Sequence, residues 1–167
     1  MLPIVLDHTK IAVGLAGEGE LLERRRALLA DASIVPVPVS LEAPGALAGL
    51  KLLYIAGADR AASAALARQA KGMGILVNVE DIPELCDFHM PAVLRRGELL
   101  LSVSSSGRSP GLVRMVREWL AEHFGSEWGE RVDEIGRCRD GWKAQGRSPT
   151  DIANATRALV AEKKWLA

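Results

Sequence analysis

Ile11-Ala12-Val13-Gly14-Leu15-Ala16-Gly17-Glu18-Gly19-Glu20-Leu21-Leu22 is the stretch on which the fold turns. Ile11 to Ala16 is an apolar run of strand length, and Gly17-Glu18-Gly19 interrupts it. Leu21, Leu22, Leu28 and Leu29 then fall on one face of a helix. Strand, glycine turn and helix form the context that a dinucleotide fingerprint requires. Its first glycine allows the tight turn; its second lets the backbone approach a pyrophosphate seated on the helix N-terminus. Gly17, Glu18, Gly19, Glu20 and Leu21 are therefore candidate cofactor-binding residues. Leu22 departs from the fingerprint, because Gly or Ala is usual there for close helix packing. A ribose-reading acid is expected about twenty residues on. That window holds Val37, Pro38, Val39 and Ser40, and Glu42 is the nearest acid. A strand–helix turn without a ligand stays open as the other reading.

Outward from this unit the pattern repeats. Ile34 to Val37 reads as a second, short strand broken by prolines, and Leu41 to Leu50 as a loop or a weak turn of helix. Leu52 to Ala56 is a third strand, and Asp59 can cap the alanine-rich helix after it. Ile75 to Val79 is a fourth strand and Leu99 to Ser104 a fifth. Ser109-Pro110 then opens a helix. Continuous apolar strands with helical crossovers predict an α/β fold, a Rossmann-like, doubly wound, mostly parallel sheet. After about Leu120 the strand pattern stops. Trp119, Trp128, Trp142 and Trp165 lie at or beyond that point, and Ser148-Pro149-Thr150-Asp151 starts another helix. The expected domains are residues 1–112, Rossmann-like, and residues 113–167, a small helical region.

Composition excludes several classes of function. Twenty-one basic residues balance twenty-one acidic ones, so no global field attracts nucleic acid. No apolar run is long enough for a membrane span, and Asp7 interrupts Leu2-Pro3-Ile4-Val5-Leu6 too early for a signal peptide. Cys86 and Cys138 form no C-x-x-C pair, which argues against a zinc site or a disulfide framework. A cytoplasmic protein is expected.

Asn78-Val79-Glu80-Asp81-Ile82-Pro83-Glu84-Leu85-Cys86-Asp87-Phe88 follows the fourth strand. Open α/β sheets bind ligands beyond the carboxyl ends of their strands. Glu80, Glu84 and Asp87 surround Asp81 in sequence, and like-charge repulsion there would raise one carboxyl toward a working range. A solvated acidic loop is the competing reading. His89 follows directly; a lone imidazole is ordinarily unremarkable, but it titrates near neutrality and binds divalent metals. Further on, Arg95, Arg96, Arg108, Arg114 and Arg117 face only Glu98 and Glu118 between Arg95 and Glu118. Arginine suits bidentate binding of carboxylates.

The block at 78–88 is similar to the Asn-Val-x-Asp-x-Pro-x-x-Cys-Asp-Phe signature of precorrin-2 dehydrogenases, which include the front module of siroheme synthase. The resemblance extends to Leu2-Pro3-Ile4, Arg24-Arg25, Met90-Pro91-Ala92, Arg95-Arg96-Gly97 and Ser104-Ser105-Ser106-Gly107-Arg108-Ser109-Pro110. It implies oxidation of precorrin-2 to sirohydrochlorin with NAD, and in some members insertion of ferrous iron afterwards. It implies Asp81 as the acid–base residue of both steps. Asp59 joins the glycine turn on the cofactor side, and Asn78, Ser105 and Arg108 are expected at the substrate. His89 is the one metal candidate. The helical region is expected to make a homodimer. Leu22 and a short segment from Val39 to Leu50 depart from the family pattern. They leave two other readings open: a chelatase without NAD binding, and a non-catalytic tetrapyrrole-binding protein.

Overall fold

The computed structural model describes residues 2–166. The chain forms two compact units that divide between Met90 and Pro91. The first is therefore shorter than the expected 1–112.

The first unit contains β1 (Ala12–Gly17), α1 (Gly19–Ala30), β2 (Val37–Val39), β3 (Leu50–Ala56), α2 (Arg60–Gly72) and β4 (Leu76–Val79). All pairs are parallel, in the order β2-β1-β3-β4. The chain steps one way from β1 to β2 and the other way from β3 to β4. Right-handed crossovers then put α1 and α2 on opposite faces of the sheet. The burial pattern matches: Val13, Leu15, Leu52 and Tyr54 join Leu29 of α1 in one core cluster. Ala16, Leu53, Ile55, Val77 and Val79 join Leu66, Ala67 and Ala70 of α2 in the other. Alternate residues of β3 thus serve opposite faces, which is why the strand reads as a continuous apolar run.

Two details differ from the sequence reading. The second strand lies at Val37–Val39 rather than Ile34 to Val37. Ser33 ends α1 with a φ of 58°, and Ile34 N–H bonds back to Leu29 O at 2.9 Å. Ile34 thereby packs on the α1-side core, and Pro38 falls in an edge strand that tolerates it. On α1, Arg25 is buried whereas Leu28 is exposed. Between β2 and β3 the weak helical turn expected within Leu41 to Leu50 forms as a 3-10 turn, Pro44–Leu47, with Leu47 fully buried.

The largest correction concerns the fifth strand. It does form, as β6 (Leu99–Val103), but it does not extend the parallel sheet. It pairs antiparallel with β5 (Ala92–Arg96) in a separate ribbon whose register Arg96↔Leu99 leaves Gly97-Glu98 as a two-residue turn. This ribbon belongs to the second unit, with α3 (Pro110–His123), α4 (Glu127–Ala144) and α5 (Pro149–Glu162). Leu94 and Ile152 are its buried hydrophobic residues. Arg96 caps α3 from outside: Nε donates to Phe124 O at 2.6 Å and Nη2 to Ala121 O at 3.4 Å. Ser148 caps α5, accepting from Asp151 N at 3.2 Å and donating to Asp151 Oδ2 at 2.7 Å. Among the described residues no helix is long and apolar enough to cross a membrane.

Candidate functional site

The turn after β1 is locked to the turn after β3. Glu18 N–H donates to Ala56 O at 3.2 Å. Gly17 has a φ of 124°, and a Cβ there would lie 1.7 Å from Ala56 O. Gly57 has a φ of 73°, and a Cβ there would lie 1.9 Å from Glu18 O. Only glycine allows this interlock. It brings the ends of β1 and β3 together at the point where the strand order reverses, the place at which such sheets bind ligands. The sequence reading missed Gly57; a glycine directly after an apolar strand and just before the helix cap Asp59 was its signal.

Beyond the interlock the start of α1 is open. The cap residue Glu18 makes no side-chain bond to the first turn. Nothing lies within 4 Å of a Cβ added at Gly19. The first-turn N–H groups, including those of Glu20 and Leu21, are thus not capped by a side chain, as an anion seat needs. Leu22 does not disturb the turn; it packs against the α1-side core. A dinucleotide's phosphates fit here. The end of β2 supplies no acid for a ribose: Ser40 follows Val39, and its Oγ accepts from Glu42 N and Ala43 N, each at 3.2 Å. Asp59 caps α2 by accepting from Ala62 N at 2.8 Å.

The block after β4 folds back along its own strand. Asp87 N donates to Val77 O at 2.8 Å, and Val77 N to Asp87 Oδ2 at 3.0 Å. Asn78 is buried, and its amide donates to Phe88 O at 2.9 Å. Cys86 Sγ lies 3.2 Å from both Val79 N and Val79 O. Asn78, Cys86 and Asp87 therefore hold the loop. The expected crowding of like charges is absent, because each neighbouring acid faces a cation from a helix. Glu80 pairs with Arg25 at 3.3 Å, Asp87 with Lys71 at 2.8 Å, and Glu84 with Arg60. The backbone N–H of Glu84 itself, and then Arg60, hold the Glu84 carboxyl below its ordinary value.

Asp81 stands apart. Its φ of 58° puts a non-glycine residue in the left-handed region. Glu80 N–H to Ile55 O (2.9 Å) and Ile82 N–H to Val79 O (3.5 Å) fix the backbone on either side. Its side chain is exposed at the carboxyl end of β4 and forms no ion pair among the described residues. It is the carboxylate of the block left free for another partner.

On the α1 face, Arg25 lies over the Tyr54 ring at 5.4 Å from its centroid, and Phe88 meets that ring edge-on at 5.3 Å. Tyr54 Oη lies 3.2 Å from Met90 Sδ. Burial raises the Tyr54 phenol above its ordinary value, with Arg25 opposing. His89 is exposed and belongs to no group of three potential metal ligands among the described residues.

In the second unit, Ser105 and Arg108 close a tight turn. Arg108 N donates to Ser105 O at 3.1 Å across Ser106 and Gly107, both at positive φ. Ser105 Oγ accepts from Ser109 N at 2.9 Å at the start of α3. The five arginines expected to gather carboxylates are not equivalent. Arg96 serves the end of α3, Arg114 pairs with Glu118 at 2.9 Å, and Arg117 Nε donates to Val93 O at 3.4 Å. Arg95 and Arg108 are exposed and unpaired among the described residues.

A parallel sheet with glycine-locked strand ends and an open helix N-terminus at its switch point defines a Rossmann-like nucleotide-binding protein. Residues 4–92 match the profile of a putative NAD(P)-binding family, and the chain belongs to that family. It is similar to siroheme synthases: 32% identical over 149 residues to that of Methylococcus capsulatus, covering 77% of this chain and 31% of the relative. With that of Pseudomonas entomophila it shares 32% over 151 residues, covering 78% and 33%. The chain thus spans about a third of the length of these relatives. A solved structure, "SirC, precorrin-2 dehydrogenase", superposes with a TM-score of 0.72 at 17% identity, over 100% of this chain and 93% of that one. That likeness is one of fold.

Proposed function

We propose that this chain is a precorrin-2 dehydrogenase, which oxidises precorrin-2 to sirohydrochlorin with NAD. The observation that carries the reading is Asp81: a free carboxylate in a left-handed backbone, held by its neighbours at the binding edge of a nucleotide-type sheet. Similarity to siroheme synthases supports the choice of substrate. Gly17 and Glu18 shape the turn, the backbone N–H groups of Gly19, Glu20 and Leu21 hold the dinucleotide phosphates, and Asp59 fixes the neighbouring start of α2. Bound NAD⁺ supplies the hydride acceptor. Asp81 takes the proton that the macrocycle loses in the same oxidation, so the products are sirohydrochlorin, NADH and one proton. Asn78 acts through the loop, by holding Phe88. Ser105 and Arg108 bind carboxylates of the macrocycle. The protein works in the cytoplasm as a homodimer. The exposed stripe Leu112, Met115, Val116 and Trp119 on α3 supports the dimer.

A second reading has one observation in its favour. In it the chain works as a chelatase without NAD, because Ser40 is engaged with its own turn and no acid stands directly at the end of β2. Ferrous iron is then a substrate, and Asp81 accepts pyrrole protons as it enters. Two anaerobic assays separate the readings, one with precorrin-2 and NAD⁺ and one with sirohydrochlorin and ferrous iron. NADH formation supports the dehydrogenase. Iron insertion into sirohydrochlorin without NADH formation supports the chelatase. Tetrapyrrole binding with neither reaction leaves a binding protein. Asp81→Asn is expected to fold, to bind NAD⁺ and to lose turnover; wild-type rates in that variant would remove Asp81 from its role.

A further inference from the structure

We infer that the cleft between α4 and α5 is a binding site for a small polyanion, separate from the dinucleotide crevice. The cleft has a volume of about 510 Å³ and is built wholly from residues of the second unit. Arg139 and Lys143 of α4, Arg147 of the connecting turn and Arg157 of α5 line it together with Pro149 and Ile152. None of its lining residues is acidic.

The four cations have little to neutralise them. Lys143 is 3.7 Å from Asp140, and both side chains are more than half exposed, so water screens the pair. Arg147 Nε donates to the neutral Gln145 at 3.1 Å. Arg157 reaches only Asn154 Oδ1, at 3.5 Å. Arg139 forms no ion pair among the described residues. Residues 137–157 carry five cations and two acids in a chain whose net charge is zero. Four like charges around one concavity oppose the packing of α4 on α5, and a bound polyanion reverses the sign of that interaction. Guanidinium groups converging from two helices and a turn suit a ligand with two or more carboxylate or phosphate groups rather than a single point charge.

The test uses the full chain with two probes, inorganic tripolyphosphate and citrate, which separate a phosphate ligand from a polycarboxylate. Calorimetric titration is expected to show saturable binding of at least one probe, weakening as salt rises. Arg139→Gln/Arg147→Gln should weaken it at least about tenfold, because two charge-assisted contacts are lost. Tripolyphosphate can also occupy the glycine turn, so a local readout is needed. Arg147 lies over the Trp142 ring at 5.9 Å from its centroid. Probe binding should change Trp142 fluorescence, and Trp142→Phe should remove that change while calorimetric binding stays. All the substituted groups are exposed or half-exposed and none belongs to the proposed catalytic site, so circular dichroism should be unaltered. No saturable binding of either probe, or binding as tight in the double variant as in the parent, would overturn the inference. The Trp142 signal reads this cleft alone, whereas NAD⁺ binding and the role of Asp81 are read by their own assays.

Discussion

Asp81 meets a demand of the backbone and, in the function proposed for it, a separable one of chemistry. Its φ of 58° favours Gly, Asn and Asp, and is strongly disfavoured for a β-branched residue. Asp81→Gly and Asp81→Asn should therefore unfold within about 1 kcal/mol of the parent, and Asp81→Val should lose about 1–3 kcal/mol, by denaturant titration. Turnover should fall in all three. Activity that tracked stability across the series would mean that the residue only shapes the turn. Tyr54 offers a second residue-level test, because it is the chain's one tyrosine. Burial raises its phenol above the ordinary value of 10.0, with Arg25 opposing. A group whose folded value is raised favours the fold below the unfolded value, and that advantage is lost as pH rises through the folded value. Stability should thus begin to fall near pH 10.0 and continue falling above it. Tyrosinate absorbance should appear later in the native protein than in urea, and Tyr54→Phe should remove that part of the alkaline loss.

At the scale of elements, the ends of β1, β3 and β4 are joined by two devices. The first is the interlock of Gly17 and Gly57 with the facing carbonyls. Gly17→Ala should cost about 3 kcal/mol or more, since it adds backbone strain to a clash with the rigid Ala56 carbonyl; thermal unfolding would read it, and calorimetry should show NAD⁺ binding lost. The second is the buried pair of Arg25 and Glu80, with side chains 11% and 23% exposed. Glu80 Oε2 is within ion-pair distance of Arg25 yet has no hydrogen bond. Arg25→Met should cost about 3–5 kcal/mol by leaving that carboxylate unpaired, and adding Glu80→Leu should recover much of it. A double-mutant cycle measures the coupling. These devices differ in how far they could be read in advance. The glycine turn, the Asp59 cap and the strands at Leu52 to Ala56 and Ile75 to Val79 were legible, because each is set by neighbours a few residues away. The pairings of Glu80 with Arg25 and of Asp87 with Lys71 were not, because they join residues far apart in sequence. β5 was hidden by its own composition. Arg95 and Arg96 break the apolar run of Ala92-Val93-Leu94, and only Gly97-Glu98 marked the hairpin.

The whole molecule divides at Met90–Pro91, and each side has its own sheet. Among the described residues, twelve form the larger buried cluster of the first unit, whereas Leu94 and Ile152 are the buried hydrophobic residues of the second. Burial of apolar surface is the main source of folding stability, so the second unit should be the weaker of the two on its own. Half-buried aromatic groups offset part of this: Trp128 meets Phe124 at 4.9 Å, and Arg131 lies over Trp128 and Trp165. Trp119, by contrast, is 54% exposed. A ligand that binds one unit shifts that unit's unfolding by mass action, about 2.7 kcal/mol at a hundredfold excess over its Kd. For a unit of this size that is roughly 10 °C or more. Scanning calorimetry should therefore resolve two transitions, of which NAD⁺ moves the one that belongs to the first unit. Gly17→Ala should abolish the shift without moving the other transition. A single transition that NAD⁺ raises as a whole would mean that the two units fold as one. The helical unit would then draw its stability from the nucleotide-binding unit, and cofactor binding would set the stability of the entire chain.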